Sequence, residues 1–318
     1  MSARVLFSRP LPEMVVKAAR KQLQVTVRED TTPMTQKEMV AALSQYDAIV
    51  PTLGDHFSAH VLGAAHPLRC RLLANFGVGY NHIDVDAAQA LNVRVTNTPG
   101  AVTDATADTA MALILMTARR AGEGERLVRA GKWTGWHPTQ LLGLHVSGKT
   151  VGIIGMGRIG QAIAARCHYG FGMDIVFFNR SPKEVPMPAR QLDTVDAVMA
   201  TADIVVIAVP GGAQTHHLIG AQALGAMQSH AILVNIARGD VMDEAALIAA
   251  LQAGQFAGAG LDVYEHEPIV PKALLAMENV TLLPHMGTGA LEVREAMGLL
   301  AVENLLAFFN GDDLVTPV

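Results

Sequence analysis

The segment Val151-Gly-Ile-Ile-Gly155-Met156-Gly157-Arg158-Ile159-Gly160 constrains this chain more than any other. The apolar run Lys149–Gly155 reads as a strand, and Arg158–His168 reads as a helix opening directly after it. Glycines at the first, third and sixth places of such a turn are the fingerprint of a dinucleotide-binding βαβ unit. Gly155 permits the tight turn, Gly157 lets backbone approach a pyrophosphate, and Gly160 allows close strand–helix packing. The N–H groups at the helix start, together with the helix dipole, attract the diphosphate. A strand feeding a helix in this way belongs to a parallel sheet covered on both faces, so the fold class is α/β.

The rest of the chain repeats the alternation. Val5–Phe7, Ala48–Val50, Leu72–Asn75 and Val93–Thr96 read as strands, with helices at Glu13–Arg20, Gln36–Ser44 and Asp84–Leu91. A long helical pattern runs from Thr103 to about Gly122. Beyond the glycine turn, strands at Asp174–Phe178, Ala202–Val209, Ala231–Ile236, Phe256–Asp262 and Val280–Leu283 alternate with helices near Asp193–Ala200, Gly220–Met227 and Asp243–Ala253. Ala290–Asn310 is a long amphipathic helical pattern. A length of 318 residues suits two domains. The second opens near residue 99, and the final helix is expected to return to the first. Trp133 and Trp136 lie in an irregular glycine-bearing stretch, either as an oligomer contact or as caps on a core edge.

Composition narrows the function classes. A hydrophobic content of 50% with 17% charged residues excludes disorder. A net charge of −5 without a basic block argues against nucleic acid. The apolar stretch Ala110–Ala118 is too short to span a membrane, and Met1–Pro12 lacks the apolar core of a signal peptide. Two cysteines, Cys70 and Cys167, suit a reducing cytoplasm and are expected to be buried and inert. No metal is expected. His216 and His217, if helical, would point apart, and the His56/His60 pair has no third ligand.

Coenzyme choice is read at the end of the second strand, where a carboxylate normally binds the ribose 2′-hydroxyl. Asn179-Arg180-Ser181 stands there instead. Arg180 can bind a 2′-phosphate by charge-assisted hydrogen bonds, with Asn179 and Ser181 as neutral donors, so NADP(H) is expected over NAD(H). Three further polar residues follow apolar strands, where ligands of open α/β sheets bind: Arg238, Glu267 and His285. Reduction of a 2-keto acid needs a cation for the carboxylate, a proton donor for the new hydroxyl and a hydride donor. Arg238 suits the first and His285 the second. Glu267 would orient the imidazole and favour its protonated form, and the cofactor supplies the hydride.

These residues, with Asn75-Phe-Gly77-Val78-Gly79-Tyr-Asn-His-Ile-Asp84, Asn235–Asp240, Asp262–Pro268 and Pro284-His285, give the chain a plain resemblance to the D-isomer-specific 2-hydroxyacid dehydrogenases. Within them it resembles the NADP-dependent glyoxylate/hydroxypyruvate reductases. The resemblance covers essentially the whole chain. It implies two Rossmann/flavodoxin-like domains with parallel sheets and an interdomain active-site cleft. The substrate domain would be residues 1–98 plus 286–318, and the NADP domain residues 99–285. A dimerisation insert would span about 101–147, with Trp136 reaching the partner's active site in a homodimer. It implies that Leu53, Gly77, Val78 and Gly79 meet the substrate beside Arg238 and His285. Toward the cofactor it implies Thr106, Val209, Pro210, Thr215, Ile236, Ala237, Asp262 and Gly287, besides the turn Gly155–Gly160. Thr288 stands where the family usually has serine, three residues after the histidine, and keeps the hydroxyl.

The implied activity is NADPH-dependent reduction of glyoxylate or hydroxypyruvate in the cytoplasm. D-lactate-type, broad 2-keto acid and phosphoglycerate dehydrogenases are alternatives. Formate dehydrogenase is disfavoured by Glu267, where that enzyme typically carries glutamine. A dinucleotide-sensing corepressor-like module is the non-enzymatic alternative.

Overall fold

The computed structural model describes residues 2–318. The chain forms two compact units, one running to Val102 and resuming from Thr288 to Val318, the other Thr103–Gly287. No helix among the described residues is long and apolar enough to cross a membrane.

The first unit alternates β1 (Arg4–Phe7), α1 (Glu13–Arg20), β2 (Gln24–Val27), α2 (Gln36–Gln45), β3 (Ala48–Val50), α3 (Ala59–Gly63), β4 (Leu72–Ala74), α4 (Val85–Ala90) and β5 (Arg94–Thr96). The strands form one parallel sheet in the order β2-β1-β3-β4-β5. β3 and β4 are buried at every position, which is why they read as short apolar runs. β2 was not expected from the sequence: it is an edge strand, no residue of it is fully buried, and its apolar signal is correspondingly weak. α2 starts at a capping box, in which Thr35 accepts from the Glu38 N–H while the Glu38 carboxylate accepts from the Thr35 N–H at 2.7 Å.

In the second unit come α5 (Thr103–Ala118), α6 (Ala121–Arg129), β6 (Thr150–Ile154), α7 (Arg158–Ala165), β7 (Asp174–Phe178), β8 (Arg190–Gln191), α8 (Val195–Thr201), β9 (Ile204–Ile207), α9 (Ala221–Gly225), β10 (Ile232–Asn235), α10 (Glu244–Gln252), β11 (Gly258–Leu261), α11 (Lys272–Ala276) and β12 (Val280–Leu282). The sheet order is β12-β11-β10-β9-β6-β7-β8, all parallel. The chain turns outward in opposite directions from β6, so the β6/β9 boundary is the topological switch point where open α/β sheets bind ligands. Both faces are covered. Val198, Leu224, Leu247 and Phe256 fill one, and Leu113, Ile114, Ile163 and Phe177 the other. Gly260 lets α5 lie against β11, since a β-carbon there would come within 2.8 Å of Thr117 Oγ1.

The single helix expected over Thr103–Gly122 is two helices. α5 stops at Ala118 because the incoming Gly143–Leu144 backbone takes its last carbonyl, Leu144 N–H to Ala118 O at 2.7 Å. Arg120 then turns through the left-handed region (φ 52°) and α6 begins. Trp133 and Trp136 are 53% and 80% exposed, so neither caps a core edge. Cys70 and Cys167 are buried, as expected, and burial pushes both thiols up to about 12.

The last helix, α12 (Leu291–Asn310), belongs to the first unit and packs on α1 and β4. Ala301, Val302 and Leu305 join Val15, Ala19, Leu72 and Ala74 in one core. The buried Asn304 amide reaches Thr316 Oγ1 at 2.8 Å, Thr316 donates to Asn97 O, and Val318 N–H bonds Val95 O, tying the tail to β5. Gly298 lets α12 lie close against α1, because a β-carbon there would sit 2.5 Å from Val15 Cγ2. Gly298→Ala is therefore expected to destabilise the fold by about 1–3 kcal/mol through overpacking. An unchanged urea midpoint would show that the two helices do not pack as described.

Candidate active site

The glycine turn at the end of β6 has a physical requirement at each place. Gly155 has φ +101°, and a β-carbon there would lie 2.7 Å from Ala208 O and 2.8 Å from Val209 Cγ1. At Gly160 α7 has no room at all, because a β-carbon would overlap the Gly155 carbonyl oxygen. Gly157 instead faces open space, with nothing within 4 Å. Gly157 is the N-cap of α7, and no side chain caps it, so the N–H groups of Arg158 and Ile159 are open to an anion. Met156 is fully buried in the core, so only its backbone can serve a ligand. These features fit a dinucleotide diphosphate.

Past β7, Asn179 Nδ2 donates to Ser181 O at 2.9 Å, and Gln191 Nε2 closes the turn onto Asn179 O at 3.0 Å. The exposed Arg180 guanidinium donates to Gln214 Oε1. Arg180 gives this turn a cation, and neither Asn179 nor Ser181 brings a carboxylate to it. In the loop after β9, Thr215 Oγ1 donates to Pro210 O at 2.7 Å and fixes the Pro210–Thr215 bend next to Val209.

The chemical groups converge at the carboxyl ends of β10, β11 and β12. Asn235 shapes the first loop, accepting from the Ala237 N–H at 3.0 Å and donating to Arg238 O at 3.0 Å. The Arg238 stem passes over Gly211, where a β-carbon would meet Arg238 Cγ at 2.8 Å. Gly239 presses on the next loop so closely that a β-carbon would overlap the Tyr264 carbonyl. That contact sets Arg238 relative to Glu267. Burial lowers the Arg238 pKa, and the charges of Glu267 and Asp240 oppose the shift. Ile236 and Ala237 are buried beside it.

His285 donates or accepts through Nδ1 with Glu267 Oε2 at 2.8 Å, leaving Nε2 as the ring nitrogen available to a substrate. Its backbone lies in the left-handed region (φ 51°), an unfavourable conformation for a residue with a ring side chain. Asp262 holds it there: His285 N–H bonds Asp262 O at 2.8 Å, and the carboxylate accepts from Met286 N–H at 2.7 Å and Gly287 N–H at 2.9 Å. Burial raises the Asp262 carboxyl above its ordinary range against those two donors and the His285 charge. Thr106 lies against Gly287. Partial burial would raise Glu267. The hydrogen bond and charge of His285, the Tyr264 N–H and the Arg238 charge outweigh it and hold that carboxyl below its usual range.

In the first unit, the turn after β4 has all three carbonyls occupied. Asn75 Nδ2 donates to Gly77 O and Gly79 O at 3.0 and 3.1 Å, and Asn97 Nδ2 donates to Val78 O at 2.9 Å. Among the described residues the Val78 and Gly79 N–H groups meet no protein acceptor, which suits an anion. Leu53 sits on a loop latched from beneath: Asp55, fully buried, accepts from Ser8 Oγ at 2.6 Å, Thr52 N–H at 2.9 Å and Met34 N–H at 2.9 Å. Arg9 then donates to Leu53 O at 2.6 Å. The supporting roles of Asn75, Asn235, Gly211, Asp55 and Arg9 escaped sequence reasoning, because each acts through backbone groups distant in the chain. A cavity of ≈ 550 Å³ lined by Met116, Leu142, Ile232 and Thr281 contains none of the expected site residues.

Comparison with known proteins decides the family. Residues 111–287 match the model for the D-isomer specific 2-hydroxyacid dehydrogenase, NAD binding domain. A glyoxylate reductase of Thermococcus onnurineus (strain NA1) is 42% identical over 98% of this chain and 94% of its own. The chain belongs to the D-isomer specific 2-hydroxyacid dehydrogenase family. A Thermus thermophilus protein has the same fold, with a TM-score of 0.91, 40% identity and 99% of each chain covered. An NADPH-dependent glyoxylate/hydroxypyruvate reductase from Sinorhizobium meliloti, solved with NADP and malonate, has a TM-score of 0.89 and 36% identity over 100% of this chain and 97% of its own. The relatives support 2-hydroxyacid dehydrogenase activity and an NAD(P)-binding domain.

A dehydrogenase built this way carries a pH signature at Glu267. Its folded pKa lies below the ordinary 4.5, so the Glu267 contribution to stability is present above that value and lost as pH falls through the folded pKa. Glu267→Gln should cost about 1 kcal/mol at pH 7, the partial exposure limiting the loss, and less at about pH 3.5. Urea unfolding at both pH values checks this; an equal or larger cost in acid would contradict it.

Proposed function

We propose that this dehydrogenase reduces small 2-keto acids with NADPH, glyoxylate to glycolate and hydroxypyruvate to D-glycerate. The observation carrying the reading is the His285–Glu267 pair at 2.8 Å beside the desolvated Arg238, on neighbouring strand ends. The bound nicotinamide cofactor supplies the hydride that adds to C2 of the keto acid. Arg238 holds the substrate carboxylate, its fork matching two oxygens and its attraction for them strengthened by the exclusion of water. His285 delivers a proton from Nε2 to the carbonyl oxygen as it gains charge. Glu267 keeps the imidazole ring in place and balances the imidazolium, while Asp262 holds the backbone beneath it. Gly77, Val78, Gly79 and Leu53 are the proposed substrate contacts of the first unit. The relatives named for glyoxylate and hydroxypyruvate support the choice of substrate class.

NADPH is preferred because the Asn179-Arg180-Ser181 turn has a cation for a 2′-phosphate and no carboxylate to repel it. The exposed tryptophans support a homodimer formed through residues 101–147, with Trp136 reaching the partner's site. The acidic, helix-and-sheet composition and two buried thiols support a cytoplasmic enzyme acting on no nucleic acid or membrane.

Two experiments test this reading. Catalytic efficiency with glyoxylate and hydroxypyruvate is expected to be higher with NADPH than NADH, and Arg180→Ala should lose about tenfold with NADPH while sparing NADH. Equal efficiency with both coenzymes in the unaltered enzyme would defeat the coenzyme assignment. His285→Ala should bind NADPH nearly as before yet lose at least about a hundredfold in kcat. Near-normal turnover would remove His285 as the proton donor.

A further inference from the structure

His216 and His217 are not helical. They lie in the loop after β9, and His217 adopts a left-handed backbone (φ 49°). This conformation brings the neighbouring rings onto one side, where they stack with centroids 4.0 Å apart and planes 25° from parallel. The expectation that the two histidines point apart rested on helical spacing and does not hold. Both rings face Glu265, whose Oε1 lies 3.0 Å from His217 Nε2. One nitrogen of each histidine and one Glu265 oxygen all lie within 4.8 Å of one another, the one such group of three among the described residues.

The ligands are supported from behind. His217 N–H bonds Asp240 O at 2.8 Å and Ile219 N–H bonds Val241 O at 3.0 Å, pinning the loop to the segment after β10. The remaining Glu265 oxygen accepts from the Glu244 N–H, and the Glu265 N–H is returned to Glu244 Oε2, both at 3.4 Å. Such outer contacts orient the ligands of metal sites. His216 is exposed, and its ring makes no hydrogen bond among the described residues, so it can rotate.

We propose that His216, His217 and Glu265 bind one divalent transition-metal ion of the zinc class, with water completing the coordination. Two imidazoles and a carboxylate are a donor set that zinc takes readily. Tetrahedral bonds of about 2.1 Å put ligand atoms about 3.4 Å apart. The His217–Glu265 pair is already near that spacing, and rotation of the His216 side chain closes the set. The ion would join the loop bearing Thr215 to Glu265, two residues before Glu267 and in the segment on which Gly239 rests. Its occupancy would therefore stiffen the loop that presents Glu267 and, through the His217–Asp240 bond, steady the one that presents Arg238, without touching the reacting atoms.

The test uses the full-length protein, stripped with chelator and titrated with ZnCl2 by calorimetry at about pH 7.5. One zinc per chain at micromolar affinity is expected, with a higher Tm in zinc. His216→Ala should fold normally and weaken zinc binding at least tenfold, abolishing the rise in Tm. His217→Ala should weaken it as much. Absence of stoichiometric binding, or binding that His216→Ala leaves unchanged, would overturn the proposal. In that case His217 and Glu265 share a hydrogen bond and nothing more.

Discussion

The Asp262 side chain is 1% exposed, and both its oxygens are taken by consecutive backbone N–H groups, those of Met286 and Gly287. Its own carbonyl takes the N–H of His285. Three hydrogen bonds from one residue thus hold the chain in a left-handed turn that costs roughly 1–3 kcal/mol for a residue with a side chain. A hydrogen bond to a charged acceptor contributes about 1.5–3 kcal/mol, so the two at the carboxylate are enough to offset the strain. Released from Asp262, His285 would relax to an ordinary backbone and its ring would leave Glu267. The His285–Glu267 hydrogen bond and the free Nε2 both follow from this one buried carboxylate.

Much of this was legible in the sequence. Both parallel sheets were, because strands buried on two faces are written as bare apolar runs. Thus β3, β7 and β12 stand where those runs stand. The glycine turn and the placing of Arg238, Glu267 and His285 at strand ends were legible because each follows such a run directly. What escaped reading depends on contacts across the chain. β2 and β8 are edge strands with little buried surface, so hydropathy hardly marks them. The break between α5 and α6 comes from a carbonyl captured by a segment far downstream. The facing of His216 and His217 escaped reading because it depends on a single left-handed residue, whereas the helical spacing considered for them would turn them apart. Asp262 was expected to serve the cofactor, and the work the structure gives it is that of positioning His285.

Glycine does two opposite things near the site. At Gly155, Gly160, Gly211 and Gly239 the missing side chain lets protein touch protein, and a methyl group would collide with backbone or with the Arg238 stem. At Gly157 it leaves a vacant face beside an uncapped helix start. Within the fingerprint the position of each glycine separates these uses, whereas at Gly211 and Gly239 no motif does. The contrast in surrounding space does separate them, and it falls at the third position of the fingerprint, where backbone must admit a phosphate.

The first unit is interrupted in sequence by the whole of the second. Residues 103–287 form a continuous unit that borrows no element from elsewhere in the chain, so they can collapse once they have been synthesised. The earlier unit cannot. Val15, Ala19, Leu72 and Ala74 keep an apolar face open until α12 has been synthesised, with the whole second unit made in between. Closing that gap needs contacts of long sequence separation, which are slow to form. The sheet of the first unit, complete in its strands but with part of one face uncovered, accordingly leaves apolar surface open in the nascent chain, and α12 is the piece whose arrival covers it.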